Sequence, residues 1–404
     1  MPLSRRSLLA GAALAAAPRP RPRAQQPTIK IGVLNDQSGP YRDISGMNSV
    51  GCVRQAVQDF GSKGFQVDVV FADHQNKPDV GASIARQWFD RDGVDMITDV
   101  NTSSVGLAVN NVCKEKNKVY VNTGSATADL TGPQCTPVTI HWSYDTYMLA
   151  RSTGGAIEKG GGDTWYFLTA DYVFGHQLQR DTTALVTKAG GKVLGASVYP
   201  FPGTSDFSSF LVSAQASGAK VLGLANAGAD TINSIKQAHE FGLTQQMKIA
   251  ALLMFINDVH ALGLDAAQGL YLTESFYWDL NDRTRAFTKR VKDKIPSYPN
   301  MTNAGCYAGS LQFLKAVADM GPAHAKQDGA AIAARMKAMP TDDDCFGKAQ
   351  IRQDGLALVP AYLFQVKTPG ESKGEWDLFN LRVTTPADEA WKPLAGGGCP
   401  LIRA

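Results

Sequence analysis

The sequence predicts an α/β protein of two doubly wound lobes, each a mainly parallel sheet with helices on both faces. Three observations support this fold class. The 404 residues fit two domains of common size better than one. Short apolar strands alternate with helical patterns from Ile29 onward, and the same alternation starts again at Thr164. Two runs of one kind predict two similar lobes, with the break near residues 141–147.

The first run opens with a strand at 29–34, which stops at the turn residues 35–40. Apolar residues recur at 3–4 residue spacing from Val50 to Phe60 and predict a helix. Pro78 lies near the start of the next helix, a position that proline favours. Further strands are expected at 67–71, 95–100 and 118–122.

The second run repeats this order and then becomes mixed. Its strands are expected at 164–168, 192–198 and 221–225, with helices at 175–189, 207–217 and 231–241. A strand at 269–273 then leads to helices at 282–294, 303–320 and 329–338. Alternating apolar residues at 360–366 and 376–381 predict an antiparallel hairpin joined by the polar loop 367–375.

The first 24 residues predict an export signal. Arg5 and Arg6 precede a run of about ten apolar residues at 8–17, whereas a bilayer span needs ~20. The segment resembles a twin-arginine signal, although Leu8 stands where an aromatic residue is usual. The alternative is a disordered basic tail. We therefore expect a mature protein in the periplasm.

Composition excludes several other classes of protein. A net charge of +3, without a run of lysines or arginines, does not favour nucleic-acid binding. None of the six cysteines forms a C-x-x-C pair, which argues against zinc and thiol redox chemistry. Six cysteines allow 15 complete pairings, and the sequence does not choose among them. Cys52 and Cys306 lie in helical patterns and fit buried free thiols at least as well as a disulfide.

The chain also lacks a recognisable catalytic set. Its six histidines are scattered singly, and there is no metalloprotease, nucleophile-elbow or phosphate-loop motif. The acidic run 342–344 lacks calcium-loop spacing and fits a solvated loop better. We therefore expect no enzymatic activity, no cofactor and no metal.

Ligands of doubly wound sheets bind beyond the carboxyl ends of the strands. There, Thr102, Ser103 and Ser104 open a helix and offer hydroxyls together with free backbone N–H groups, a suitable seat for a carboxylate. The alternative is plain capping of that helix by Thr102 or Ser103, which needs no ligand.

The loop motifs, taken in order, resemble the type I periplasmic binding proteins, and more narrowly the leucine/isoleucine/valine-binding branch that serves ABC importers. The likeness covers residues 28–395. The motifs are Ser38-Gly39-Pro40-Tyr41, Thr102-Ser103-Ser104, Asn122–Thr131, Asp171–Gly175, Phe201–Ser208 and Ala225–Thr231.

This resemblance implies two Rossmann-like lobes, a hinge of three crossovers, and a ligand in the interlobe cleft. It divides the chain into one lobe at 28–145 plus 275–355, a second at 146–274 plus 356–392, and a tail at 393–404. It further implies a membrane permease as partner, a small-molecule solute and a monomer.

The resemblance also assigns roles to residues. In relatives that bind amino acids, a serine matching Ser103 and a threonine matching Thr127 hold the carboxylate, helped by backbone at the position of Ser125. An aromatic side chain matching Phe174 closes over the ligand. Tyr41 lies at the position from which relatives shield the side chain of the ligand. The expected ligand-binding residues are Tyr41, Ser103, Ser104, Ser125, Ala126, Thr127, Tyr172, Phe174, Asn226 and Leu253.

One departure from the family pattern bears on the ligand. Relatives hold an α-ammonium group with a glutamate where this chain has Leu253, and Ala227 replaces a bulky aromatic residue. A buried ammonium without a counter-charge is costly. We therefore expect an aromatic or aliphatic carboxylate without an α-ammonium, although Asp171 could still serve an amino acid. The expected function is solute capture for an ABC importer; the alternative is a periplasmic sensory receptor or an amino-acid or amide-binding protein on the same fold.

Overall fold

The computed structural model describes residues 26–402, which fold into two α/β lobes as the sequence predicts. The expected export signal at 1–24 lies outside these residues. Within the described range, no helix combines the length and apolar character needed to span a bilayer.

The first lobe is built on a parallel sheet of five strands. The strands are β1 (Thr28–Asn35), β2 (Gln66–Asp73), β3 (Met96–Asp99), β4 (Val119–Asn122) and β5 (Thr139–His141). The helices between them are α1 (Gly46–Phe60), α2 (Pro78–Gln87) and α3 (Ser103–Lys116). The spatial order is β2-β1-β3-β4-β5, so the carboxyl ends of β1, β3 and β4 lie side by side.

Tight packing explains one glycine in the first sheet. Ile31 and Val33 of β1 are fully buried, and Gly32 between them lies beneath the indole ring of Trp88. A Cβ atom at Gly32 would lie 2.4 Å from Cζ3 of Trp88, so any larger residue would displace that ring.

The second lobe repeats the pattern on a parallel sheet of four strands. Its elements are α4 (Thr146–Leu149), α5 (Gly155–Lys159), β6 (Thr164–Ala170), α6 (Val173–Lys188), β7 (Lys192–Tyr199), α7 (Ser208–Ala216), β8 (Val221–Ala225), α8 (Ala229–Glu240), β9 (Lys248–Ala251), α9 (Ile256–Leu262), α10 (Leu264–Ala267) and β10 (Tyr271–Glu274). The order is β7-β6-β8-β9, again with neighbours parallel.

The last part of the chain contributes to both lobes. Its elements are α11 (Asp282–Val291), α12 (Met301–Met320), α13 (Pro322–Gln327), α14 (Gly329–Ala338), β11 (Thr341–Asp343), β12 (Gly347–Ile351), β13 (Ala357–Leu358), β14 (Ala361–Val366), β15 (Phe379–Thr385) and α15 (Ala387–Ala390). α12 packs along α1 of the first lobe. β14 pairs with β10 and β15 in an antiparallel sheet whose buried residues join the core of the second lobe.

The predicted hairpin is therefore present, but its second strand lies further along the chain than expected. The sequence pattern predicts Trp376 inside that strand. In the structure its ring instead stacks against those of His260 and Tyr298, at 3.9 and 4.8 Å between centroids. Asp377 accepts a hydrogen bond from Lys367. These side-chain contacts hold Trp376 and Asp377 in the loop, and strand pairing starts at Phe379.

The chain passes between the lobes three times: from β5 to α4, from β10 to α11, and from β13 to β14. At the second passage the buried Glu274 accepts hydrogen bonds from the backbone N–H of Ile256 (2.9 Å) and of Met301 (3.1 Å). One carboxylate thus caps α9 of the second lobe and α12 of the first lobe. Burial raises the pKa of Glu274 to about 8, against the effect of these two bonds.

A disulfide brings the C-terminal tail back to the first lobe. The tail leaves β15 in the second lobe, and Cys399 is bonded to Cys135, which follows β4 in the first lobe. Among the described residues Cys52 and Cys306 are buried free thiols, as their helical context allowed. Cys113 and Cys345 are also buried and free.

Candidate functional site

The sequence-predicted site residues lie where loops of the two lobes face each other. Ser104 and Tyr172 are half-buried, and the other eight are buried. Tyr41, Ala126, Phe174, Ala227 and Leu253 belong to one contiguous apolar cluster drawn from both lobes. Apolar side chains of both lobes therefore meet where these loops face each other.

Ser103 is the first residue of α3, and its buried hydroxyl lacks a hydrogen-bond partner among the described residues. Its side chain is 1% exposed. Thr102, at the N-cap position, accepts no capping bond from a backbone N–H, and its hydroxyl donates to Asn76. Helix capping therefore does not explain these hydroxyls. An unpaired donor beside the free N–H groups of a helix start suits an anion.

Strained backbone leads the chain into this helix. Asp99 and Val100 have φ of 78° and 56°, a region that residues with a side chain seldom adopt. The buried Asp99 carboxylate holds this turn by accepting bonds from Asn35 (2.9 Å) and Ser45 (2.7 Å). The turn places Asn101 and Ser103 beyond the end of the sheet. Asn101 Nδ2 is also buried without a partner among residues 26–402.

The loop after β4 is fixed to the same turn. Ser125 Oγ donates to the carbonyls of Val100 and Thr102, and its N–H donates to Asn122 (2.9 Å). Ser125 therefore positions the loop with both of its donors already in use. Thr127 is fully buried, and its Oγ1 accepts only a long bond of 3.3 Å from the N–H of Asp129, so its hydroxyl proton is free to donate.

Four aromatic side chains close one side of the cleft. The hydroxyls of Tyr41 in the first lobe and Tyr172 in the second are 2.6 Å apart. The ring of Phe201 stacks on both tyrosines, with centroids at 5.4 and 4.3 Å. Phe174 contacts Tyr172 at 5.7 Å. Phe201 was not among the expected site residues, and its position in the second-lobe motif was the signal that could have indicated it.

Asn226 and Leu253 contribute to the second-lobe side in different ways. The Asn226 amide accepts a hydrogen bond from Thr231 (2.8 Å) and donates to Ser234 (3.2 Å), so it braces the start of α8. Leu253 follows β9 by two residues and is 3% exposed within the apolar cluster.

Two acids lie near this wall in very different settings. Asp171 is exposed, and its carboxylate is paired with His176 at 2.8 Å. Asp230, in the first turn of α8, is 4% exposed and accepts a bond from the Tyr199 hydroxyl at 2.8 Å. Burial raises the pKa of Asp230 to about 6, although the bond from Tyr199 lowers it. Sequence reasoning missed Asp230, because only the fold brings the end of β7 to the start of α8.

The two lobes are in contact around the cleft. The N–H of Ala229 donates to the carbonyl of Pro40 across the lobes at 3.1 Å. Gly228 has φ of 59°, and a Cβ there would lie 2.6 Å from that carbonyl oxygen. On another side, Gln177 of α6 donates to Asp129 of the first lobe at 2.7 Å. This arrangement is a closed one.

Replacing Gln177 by alanine should weaken the binding of every solute by a similar factor, roughly threefold to tenfold. The Gln177–Asp129 bond joins the closed lobes outside the expected ligand contacts, so its loss destabilises closure. Calorimetric titration with two unrelated ligands measures the effect. Gln179→Ala on the same helix is the control, because Gln179 bonds only Thr169 of its own lobe. Weakening confined to one ligand would contradict this role.

Cavities also lie outside the cleft. One of about 650 Å³ lies between Pro133, α6 and the tail at Lys392, and one of about 560 Å³ lies beside α5 and β14. None of the ten expected site residues lines them. Their cationic groups are exposed on the surface, whereas the cleft holds buried donors without partners. The cleft is therefore the stronger candidate.

Among residues 26–402, no group of three His, Cys, Asp or Glu side chains could hold a metal ion.

The chain resembles known proteins over most of its length. A family model described as periplasmic binding protein matches residues 28–375. A periplasmic binding protein from Burkholderia mallei is 46% identical, with a TM-score of 0.89 over 93% of this chain and 99% of its own. A branched chain amino acid ABC transporter periplasmic ligand-binding protein from Burkholderia xenovorans LB400 is 36% identical, with a TM-score of 0.80 over 92% and 99%.

A more distant structure shares the fold alone. It is a solute binding protein of an ABC transporter from R. palustris, solved in complex with benzoate. It is 18% identical, with a TM-score of 0.78 over 89% of this chain and 97% of its own. No curated protein matches the sequence.

Proposed function

The chain belongs to the periplasmic binding protein family, and on that premise we propose that it captures a small carboxylate solute for an ABC importer by closing its lobes. The family implies an exported protein of the periplasm. Solute that touches both lobes favours the closed state, and a permease then recognises that state.

The observation that carries this proposal is the buried hydroxyl of Ser103 at the start of α3, which has no hydrogen-bond partner in the described part of the chain. A buried polar group without a partner costs free energy, and a carboxylate beside it would supply the missing acceptor. The Thr127 hydroxyl and the N–H groups of the first turn of α3 complete a set of donors for one anion. This supports a seat for the solute carboxylate in the first lobe.

The body of the solute would lie among apolar side chains. Tyr41, Phe174 and Leu253 supply that surface, and the small, buried Ala227 stands where some relatives carry a bulky aromatic residue. We therefore propose an aromatic or aliphatic acid. The distant R. palustris relative with bound benzoate supports this class on the same fold.

The proposal extends to the organisation of the protein. We propose a monomer without catalytic activity, exported by the twin-arginine route. Its lobes comprise 28–145 plus 275–355 and 146–274 plus 356–392, except that β13 (Ala357–Leu358) pairs with β12 and so stays with the first lobe. Burial of Ser103, Thr127 and Phe174 supports a site that closes around a solute. Closure of two lobes within one chain needs no partner subunit, which supports a monomer.

A thermal-shift screen of the mature chain tests the function. The panel covers aromatic acids, short aliphatic acids, amino acids, amides and purines. A ligand at 100 times its dissociation constant should add roughly 2.7 kcal/mol to the free energy of unfolding. We expect hits confined to carboxylates. Stabilisation by amides or purines with none by carboxylates would contradict the proposal.

A further inference from the structure

We infer that Asp230 accepts a hydrogen bond from the bound solute, so the solute carries a hydroxyl or ammonium donor in addition to its carboxylate. This inference rests on the proposed function and narrows the class of solute that the same cleft takes.

The carboxylate of Asp230 is buried and only partly satisfied. Its Oδ2 accepts one bond, from Tyr199, which is itself fully buried. Its Oδ1 accepts no hydrogen bond from residues 26–402 and is not one of their fully buried unpartnered atoms, so it keeps contact with solvent. A buried carboxylate in this state favours any further donor that reaches it.

Capping of α8 does not account for Asp230. The N-cap of α8 is Gly228, and the Asp230 side chain accepts no backbone N–H of its own helix. The start of α8 is braced instead by Asn226, through Thr231 and Ser234. The helix start would keep these bonds without the Asp230 carboxylate.

The position of Asp230 places it at the cleft. The residues just before it, Gly228 and Ala229, touch Pro40 across the lobes. A Cβ at Gly228 would lie 3.0 Å from Cδ1 of Tyr41. Burial is the main cause that raises the pKa of Tyr41, and the nearby hydroxyl of Tyr172 and carboxylate of Asp230 raise it further. Asp230 therefore lies near the tyrosines that close the cleft.

The two walls of the cleft have complementary polarity. The first-lobe wall has the unpaired donors Ser103 Oγ and Asn101 Nδ2, and the second-lobe wall has the spare acceptor of Asp230. A solute with a carboxylate alone would satisfy only the first wall. A hydroxy acid or an amino acid would satisfy both walls. Asp230 would then take the role of the glutamate that relatives carry at the position of Leu253.

Paired ligands and an isosteric substitution test this inference. The pairs are benzoate with 4-hydroxybenzoate, and 4-methylpentanoate with leucine, so each pair differs by one donor group. In the unsubstituted protein the donor-bearing member of at least one pair should bind roughly 10-fold to 100-fold more tightly by calorimetry. The pair that shows the preference identifies hydroxyl or ammonium as the donor.

Asp230→Asn should abolish most of that preference and leave the dissociation constant of the donor-free member within about threefold. Asp171→Asn is the control, because that acid is exposed and paired with His176, and it should change neither member. Tyr199→Phe should reduce the preference less than Asp230→Asn does, because the carboxylate remains. Melting curves confirm that each variant is folded.

The outcomes separate the inference from the proposed function. Equal weakening of both members in Asp230→Asn, or no preference in the unsubstituted protein, overturns the role of Asp230 while carboxylate capture stands. Failure of every carboxylate to bind overturns both.

Discussion

Replacing Ser103 and Thr127 together by alanine should weaken carboxylate binding by about 100-fold or more. Each hydroxyl that donates to an ionised group contributes roughly 1.5–3 kcal/mol, and two such contributions exceed a hundredfold in affinity. The ligand is the strongest carboxylate hit of the thermal-shift screen, titrated calorimetrically against both forms. The matched control is Ser213→Ala, since Ser213 is exposed on α7 and its side chain bonds, among residues 26–402, only a carbonyl of its own helix.

The single substitution Ser103→Ala separates a binding role from a structural one. Its Oγ has no partner among the described residues, so removing it should leave the unliganded protein as stable as before or slightly more stable. Affinity should nevertheless fall. A loss of stability without loss of affinity would show that Ser103 serves the fold, and an affinity change below about threefold in the double variant would refute the carboxylate seat.

Removing the disulfide by Cys135→Ser with Cys399→Ser should lower the free energy of unfolding by roughly 2–5 kcal/mol. The bond joins residues 264 positions apart, so it closes a very long loop and restricts the unfolded chain strongly. It also fastens the tail that leaves β15 in the second lobe to the first lobe. Urea unfolding followed by fluorescence measures the change in midpoint.

The free thiols allow an internal control for that experiment. Cys52, Cys113, Cys306 and Cys345 are buried and unbonded among residues 26–402, so a reductant has one described disulfide to act on. Dithiothreitol should lower the midpoint of the unsubstituted protein and leave that of the double variant unchanged. An unchanged midpoint on removal of the bond would show that it does not stabilise the fold.

The order of strands and helices could be predicted because it depends on local composition. Runs such as Ile29–Leu34 combine β-branched residues with a turn sequence directly after them, and these features suffice to place a strand. The rule that parallel strands end at one edge then brought Ser103 and Thr127 to the same place, since α3 follows β3 and Thr127 follows β4. The two-lobed fold and the family were therefore within reach of the sequence.

Local patterns were less reliable where side chains from distant elements compete. The second hairpin strand was expected to include Trp376, but stacking with His260 and Tyr298 keeps that residue in a loop. Strand β5 was missed because Thr139–His141 is only three residues long and is held by pairing with β4. In both cases contacts remote in sequence outweighed local preference.

By itself the sequence determined the α/β lobes, and it predicted an anion seat at Thr102–Ser104 and a Leu253 where relatives carry a glutamate. Only the tertiary structure decided that Cys135 pairs with Cys399, that the Ser103 hydroxyl has no partner among residues 26–402, and that Asp230 meets Tyr199 beside the cleft. The reason is physical: pairing and hydrogen-bond satisfaction depend on which groups become neighbours in space, and composition and periodicity do not specify those neighbours.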